Sequence, residues 1–166
     1  MKPLLLLDVD GPLNPYAALS LRRVPRGYRE HAMRPTGWTA GPALPVLLNP
    51  EHGDELLTLT DRYELAWAST WMGEANEWIG PHLGLPPLPY VDWPAVPALP
   101  GDGTYWKTRH VVAYAAGRAF AWVDDEITDL DRAWVAEHHP GRALLRRVDP
   151  RIGLAHEDFD ALAGWV

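Results

Sequence analysis

The chain has 166 residues, a formal net charge of −7, 47% hydrophobic and 22% charged residues, and no cysteine. These values describe an ordinary globular protein with a full core, expected as a single domain over residues 1–166, and they exclude a disordered chain, a disulfide framework and thiolate chemistry. The acidic balance argues against a general nucleic-acid binder, and no stretch approaches the length of a membrane span, so the expectation is a soluble, cytoplasmic protein with no membrane partner.

The apolar run Leu4-Leu5-Leu6-Leu7 ends abruptly in Asp8-Val9-Asp10-Gly11. A run this short, without polar alternation and closed by glycine, predicts a strand covered on both faces, with its acids at the carboxyl end where α/β sheets bind ligands. Lys2 ahead of the leucines has the flavour of a signal peptide, but the run meets Asp8 too early for one. Residues 12 to about 48 are rich in proline, glycine and arginine and lack a sustained helical period, which predicts an insert or flap. Arg22, Arg23, Arg26, Arg29 and Arg34 against Glu30 make it net +4, leaving the rest of the chain near −11.

Asn49-Pro50 opens a helix carrying Leu56, Leu57 and Leu59 and ending near Arg62. Residues 64 to 69 read as a second strand ending in the hydroxyls of Ser69 and Thr70. A helix over roughly 73 to 80 follows, closed by Gly84 and Pro86, and Leu88-Pro89-Tyr90-Val91 reads as a short third strand near an edge. Lys107 stands ahead of a helix ending at Gly117. Phe120 to Asp124 is a fourth strand, ending in the pair Asp124-Asp125. Thr128 with Asp131 predicts a capping box for the next helix, which Pro140-Gly141 stops. Ala143 to Val148 is a fifth strand, and a last helix carries Leu154, Phe159, Leu162 and Trp165. Strands alternating with helices predict a five-stranded parallel, Rossmann-like sheet with helices on both faces.

An acid pair, a strand-terminal hydroxyl, a lysine and a second acid pair, in that order, resemble the four motifs of the haloacid dehalogenase superfamily of phosphohydrolases. The resemblance spans nearly the whole chain. It implies that Asp8 is the nucleophile, that Asp10 is the general acid and base, and that Ser69, Thr70 and Lys107 hold the phosphoryl oxygens. It also implies a magnesium site of Asp8, Asp10, Asp125 and Asp124, the Asp10 contact coming through its carbonyl and Asp125 being the direct ligand of the second acid pair. Asp124 then orients Lys107 or a bound water. Carboxylates so close to one another call for a counter-charge, and a hard cation with oxygen ligands supplies it. The family usually has threonine or valine where this chain has Pro12, which removes one amide donor from the turn.

Two functions are carried forward. One is a magnesium-dependent phosphatase acting through an aspartyl-phosphate on a phosphorylated substrate. Small domains of similar appearance in RNA repair point to a polynucleotide phosphate end as one version, with Arg22, Arg23 and Arg26 contacting further phosphates. The other is an inactive module of the same fold that binds a phosphorylated partner. His138, His139 and His156 are set aside as a zinc site, because adjacent histidines at a helix end more often face solvent and favour the helix dipole. Trp67, Trp122 and Trp134 are read as core.

Overall fold

The computed structural model describes residues 1–166. In chain order the elements are β1 Leu4–Leu7, α1 Tyr16–Ser20, β2 Arg29–Met33, β3 Leu44–Leu48, α2 Glu51–Leu59, β4 Glu64–Trp67, α3 Ala75–Trp78, α4 Gly80–Leu83, α5 Thr108–Ala115, β5 Phe120–Asp124, α6 Asp129–His138, β6 Ala143–Arg147 and α7 His156–Trp165.

All the leucines of β1 are buried, and the two-residue period of a strand divides them between two cores. Leu5 and Leu7 pack with Trp67, Leu56 and Leu59 of α2, and Phe159 and Leu162 of α7. Leu4 and Leu6 pack with Trp122, Val111 and Ala115 of α5, and Val135 of α6. Burying each such side chain is worth roughly 1.5–3 kcal/mol relative to exposure, so this run anchors the sheet from both faces. The sheet is parallel and of order β4-β1-β5-β6, with Leu7 level with Trp67 on one side and Val123 on the other.

The sheet has four strands where five were expected. The segment around Tyr90 joins β4 only by a single parallel bridge opposite Trp67. Trp67 donates to the Pro89 carbonyl at 2.9 Å and Val91 donates to Trp67 at 2.8 Å. Pro86, Pro87 and Pro89 have no N–H to extend the ladder. The helix expected over 73 to 80 is likewise broken into a 3-10 turn at Met72–Glu74 and the short α3 and α4, with Pro81 at the start of α4 and Gly84 closing it at φ +67°. Trp134 is only half-buried: it packs against the rim of the second core and stacks on His138.

The insert is a small folded flap. It contains α1 and the antiparallel hairpin of β2 and β3, and Met33, Val46 and Leu48 tie that hairpin to the first core. Of the expected caps, Thr128 with Asp131 makes the capping box of α6, whereas Pro50 stands as the N-cap of α2 without a side-chain cap bond and Asn49 Oδ1, one residue earlier, accepts from the Glu51 amide at 3.1 Å. No helix is long and apolar enough to cross a membrane.

A candidate active site at the carboxyl ends of the strands

Asp8 follows β1 directly, and its amide still donates to the Val123 carbonyl at 3.0 Å, which fixes the residue at the rim of the sheet. One carboxylate oxygen accepts from the Val9 amide at 2.8 Å and the other from Lys107 Nζ at 2.8 Å. Lys107, 1% exposed, also donates to Asp124 Oδ2 at 2.9 Å and to the Ala68 carbonyl at 3.2 Å. An ammonium has three donors, and all are used, which is the condition for keeping a charge inside a protein. Burial alone would lower its pKa; Asp8 and then Asp124 more than offset this and hold it above the ordinary lysine range. The rings of Tyr105, Trp93 and Trp106 lie 5.6, 5.8 and 6.0 Å from Nζ, so aromatic faces surround the buried cation.

Two acids bracket this lysine from other elements. Asp131 accepts from the Tyr105 amide at 2.7 Å and the Thr108 hydroxyl at 2.6 Å, so the capping residue of α6 also sets the turn that presents Lys107. Asp124 is fully buried, with its second oxygen taken by the Glu126 amide at 2.9 Å. Burial pushes its pKa well up and the Asp8 charge adds to that.

Asp8, Asp124 and Asp125 each offer an oxygen within 4.8 Å of the others. Such all-oxygen donor sets suit hard divalent cations. Asp125 Oδ2 accepts from the Tyr16 hydroxyl at 2.9 Å, and burial raises the Asp125 pKa. Gly11 makes this packing possible. It sits at φ +99°, and a Cβ there would lie 2.5 Å from the Asp125 Cγ.

Asp10, counted above among the metal residues, turns its carboxylate elsewhere. The strand has ended at Leu7 and the chain turns through Val9 to Leu13, which directs the Asp10 side chain away from that of Asp8. Its oxygens accept from Asn14 Nδ2 at 2.8 Å and Trp71 Nε1 at 3.0 Å. Burial raises its pKa, the Asn14 bond opposes that, and the net shift is upward. Asn14 in turn accepts from the Leu47 amide at 2.9 Å, linking the loop to β3 of the flap. Within the loop, Gly11 donates to the Asn14 carbonyl at 2.8 Å, while the Asp10 amide has no partner and is available to a ligand. Pro12, which breaks the expected pattern, is buried and its carbonyl accepts from the Leu154 amide at 2.8 Å.

Ser69 is fully buried one residue beyond Ala68, its hydroxyl 3.4 Å from the Trp71 amide and its carbonyl bonded to Trp93 Nε1 at 2.7 Å. Thr70 is exposed and lines a cleft of about 600 Å³ together with Asp10, Trp71, Tyr90 and the flap residues Thr36 and Leu44. None of Arg22, Arg23 and Arg26 lines this cleft. Arg23 instead borders a groove with Asp149 and Arg151. His138, His139 and His156 are engaged separately, with the Trp134 carbonyl, the Arg118 carbonyl and Asp160.

The residues that sequence reasoning passed over are Asn14, Tyr16, Trp71 and Asp131 in its second role. Asn14-Pro15 is a turn dipeptide that could have flagged the first. Tyr16 carries no local signal, because its partner lies 109 residues away. No family model, curated protein or solved structure matches this chain.

Proposed function

We propose that the protein is a magnesium-dependent phosphomonoester hydrolase of the haloacid dehalogenase type, working through a phosphoryl-aspartate on Asp8. The observation that carries this reading is the buried Lys107 bridging Asp8 and Asp124, with Asp125 in the same oxygen cluster and Asp10 held just outside it. An ion pair placed only for stability does not need a third acid facing it or a separate acid beside an open cleft.

Asp8 attacks phosphorus with the oxygen that Lys107 does not already neutralise, and the bond from phosphorus to the leaving oxygen breaks. Asp10 gives its proton to that oxygen, so the alcohol departs neutral. Water then attacks the phosphoryl-aspartate, Asp10 takes up the water proton, and cleavage of the bond to Asp8 releases inorganic phosphate. The free Asp10 amide and the Ser69 hydroxyl offer donors to the phosphoryl oxygens, and Lys107, held by Asp8, Asp124 and the Ala68 carbonyl, contributes its positive charge beside them. Asp8, Asp125 and the Asp10 carbonyl would hold magnesium, which supplies charge neutralisation among the carboxylates and the phosphate. Asp124 keeps Lys107 in place.

Hydrolysis of an aryl phosphate tests the reading directly. Turnover should require magnesium, calcium should support it poorly because its coordination shell is looser, and Asp8→Asn should abolish it. Equal turnover in excess chelator would overturn the assignment, and absence of any turnover would leave a module that binds a phosphorylated partner.

A further inference from the structure

We propose that the substrate is the phosphate ester of an alcohol bearing an ammonium group, which the cleft beside Asp10 receives; this rests on the phosphatase reading. The direction follows from the chemistry. Asp10 protonates the leaving oxygen, so the alcohol portion lies on the Asp10 side of the phosphate, where the cleft opens.

The acids lining that cleft are Asp10, Glu74 and Asp92, and no lysine, arginine or histidine joins them; with Asp10 holding the proton it gives to the leaving oxygen, Glu74 and Asp92 carry the charge. A second phosphate or a carboxylate on the alcohol would meet charges of its own sign there, whereas a cation would be attracted. Glu74 is partly engaged, accepting from the Thr36 amide of the flap at 2.8 Å. Asp92 is exposed and makes no hydrogen bond or ion pair, so its whole charge is available to a ligand.

Aromatic walls make the second, independent argument. Trp71 is clamped by its indole donation to Asp10, and Tyr90 packs its ring against Gly73, where a Cβ would lie 3.1 Å from Cε1. An indole held by Asp10 and an exposed phenol ring beside carboxylates form the surroundings that favour alkylammonium groups over hydrated anions. Leu44 closes the flap side with an apolar surface. A volume of about 600 Å³ admits a small alcohol.

The test compares phosphocholine, its neutral carbon isostere 3,3-dimethylbutyl phosphate, and a 5′-phosphorylated oligonucleotide, all with magnesium. Wild-type kcat/KM should favour phosphocholine over the isostere by about tenfold, the combined worth of an exposed ion pair and a cation over aromatic rings. The oligonucleotide should be the poorest of the three. Asp92→Asn should shrink the preference by at least about threefold, the share expected for one partly exposed charge. Asp61→Asn makes the same charge change in an exposed turn ahead of β4, at the opposite end of the sheet, and should leave the preference intact. Calorimetric binding of the same three compounds to Asp8→Asn protein reads the cleft without turnover. If nothing is hydrolysed but that binding order holds, the phosphatase reading fails and the cleft assignment stands. Equal affinity for phosphocholine and its isostere, or preference for the oligonucleotide, overturns the proposal.

Discussion

The loop from Asp8 to Asn14 has two unlike flanks. On one, Asp10 faces a cleft walled by carboxylates and aromatic rings. On the other, Asp125 is held by Tyr16, and behind it Arg147 Nε donates to the Asp125 carbonyl at 3.0 Å. Positive charge borders this second flank, where Arg23, Arg147 and Arg151 line adjoining grooves around Asp149. Part of it is already neutralised there, because hydrogen bonds from Arg151 hold the Asp149 carboxyl down at about 2. The comparison teaches that proximity in the chain to a catalytic loop does not place a residue at its open face. Arg23 follows Asp10 by about a dozen residues, yet α1 runs back toward Pro150, where Ala17 donates to the Pro150 carbonyl at 3.2 Å, and carries Arg23 to the groove beside Asp149.

Breaking the centre common to both flanks should have the largest effect. Lys107→Ala strands the buried Asp8 and Asp124 without their cation, and such a loss costs about 3–5 kcal/mol. Denaturant unfolding should register it as a lowered midpoint, with turnover lost as well. Asp8→Asn, by contrast, relieves repulsion and should keep the fold while turnover disappears.

The flanks themselves should then separate. Asp10→Asn should slow turnover by about 10²–10⁴-fold, the usual worth of general acid–base catalysis, while leaving the thermal stabilisation by magnesium in place. Asp125→Asn should remove that stabilisation. Melting curves with and without magnesium distinguish the two, and an identical response from both variants would mean that the flanks are not functionally distinct. Gly11→Ala should resemble Asp125→Asn, because its Cβ must displace the Asp125 side chain; the positive φ adds roughly 1–2 kcal/mol of destabilisation.

Replacing Arg22, Arg23 and Arg26 together by alanine should change aryl phosphate turnover by less than about twofold, the range of exposed charges. A steep loss confined to an oligonucleotide substrate, with a flatter salt dependence, would move recognition to the arginine flank.

A separate effect, on stability alone, concerns the root of the flap. Tyr28 packs edge-on to His52 with centroids 5.4 Å apart, and the space for its hydroxyl exists only because residue 153 is glycine. Burial lowers the His52 pKa from 6.5 to about 4. A histidine with a depressed folded value contributes stability that is complete above pH 6.5 and is lost as pH falls through about 4. A melting temperature that declines across this window in the wild type, and declines less in His52→Phe, is the expected result.

Much of the architecture was legible locally. A strand covered on both faces is written in four adjacent leucines, and the capping box of α6 in Thr128 and Asp131, because burial pattern and cap chemistry act over a few residues. The edge segment at Tyr90 has the apolar residues of a strand, but its prolines limit the ladder to one bridge. The break between α3 and α4 has a similar origin in Gly80-Pro81, which interrupts an otherwise acceptable helical pattern.

The sequence by itself determined which residue types stand at the ends of which strands: Asp8 after β1, Ser69 just beyond β4, Asp124 and Asp125 at the end of β5, and Lys107 ahead of a helix. Adjacent parallel strands bring such ends to one rim of the sheet, so order along the chain suffices to gather them. Only the tertiary structure decided the pairing. Lys107 meets Asp8 across 99 residues, Trp71 meets Asp10 across 61, and Tyr16 meets Asp125 across 109. These partners are chosen by where connecting loops run and by which buried donors still need an acceptor. The same loop paths send Arg23 to one flank and leave the lining of the open cleft to acids and aromatic rings.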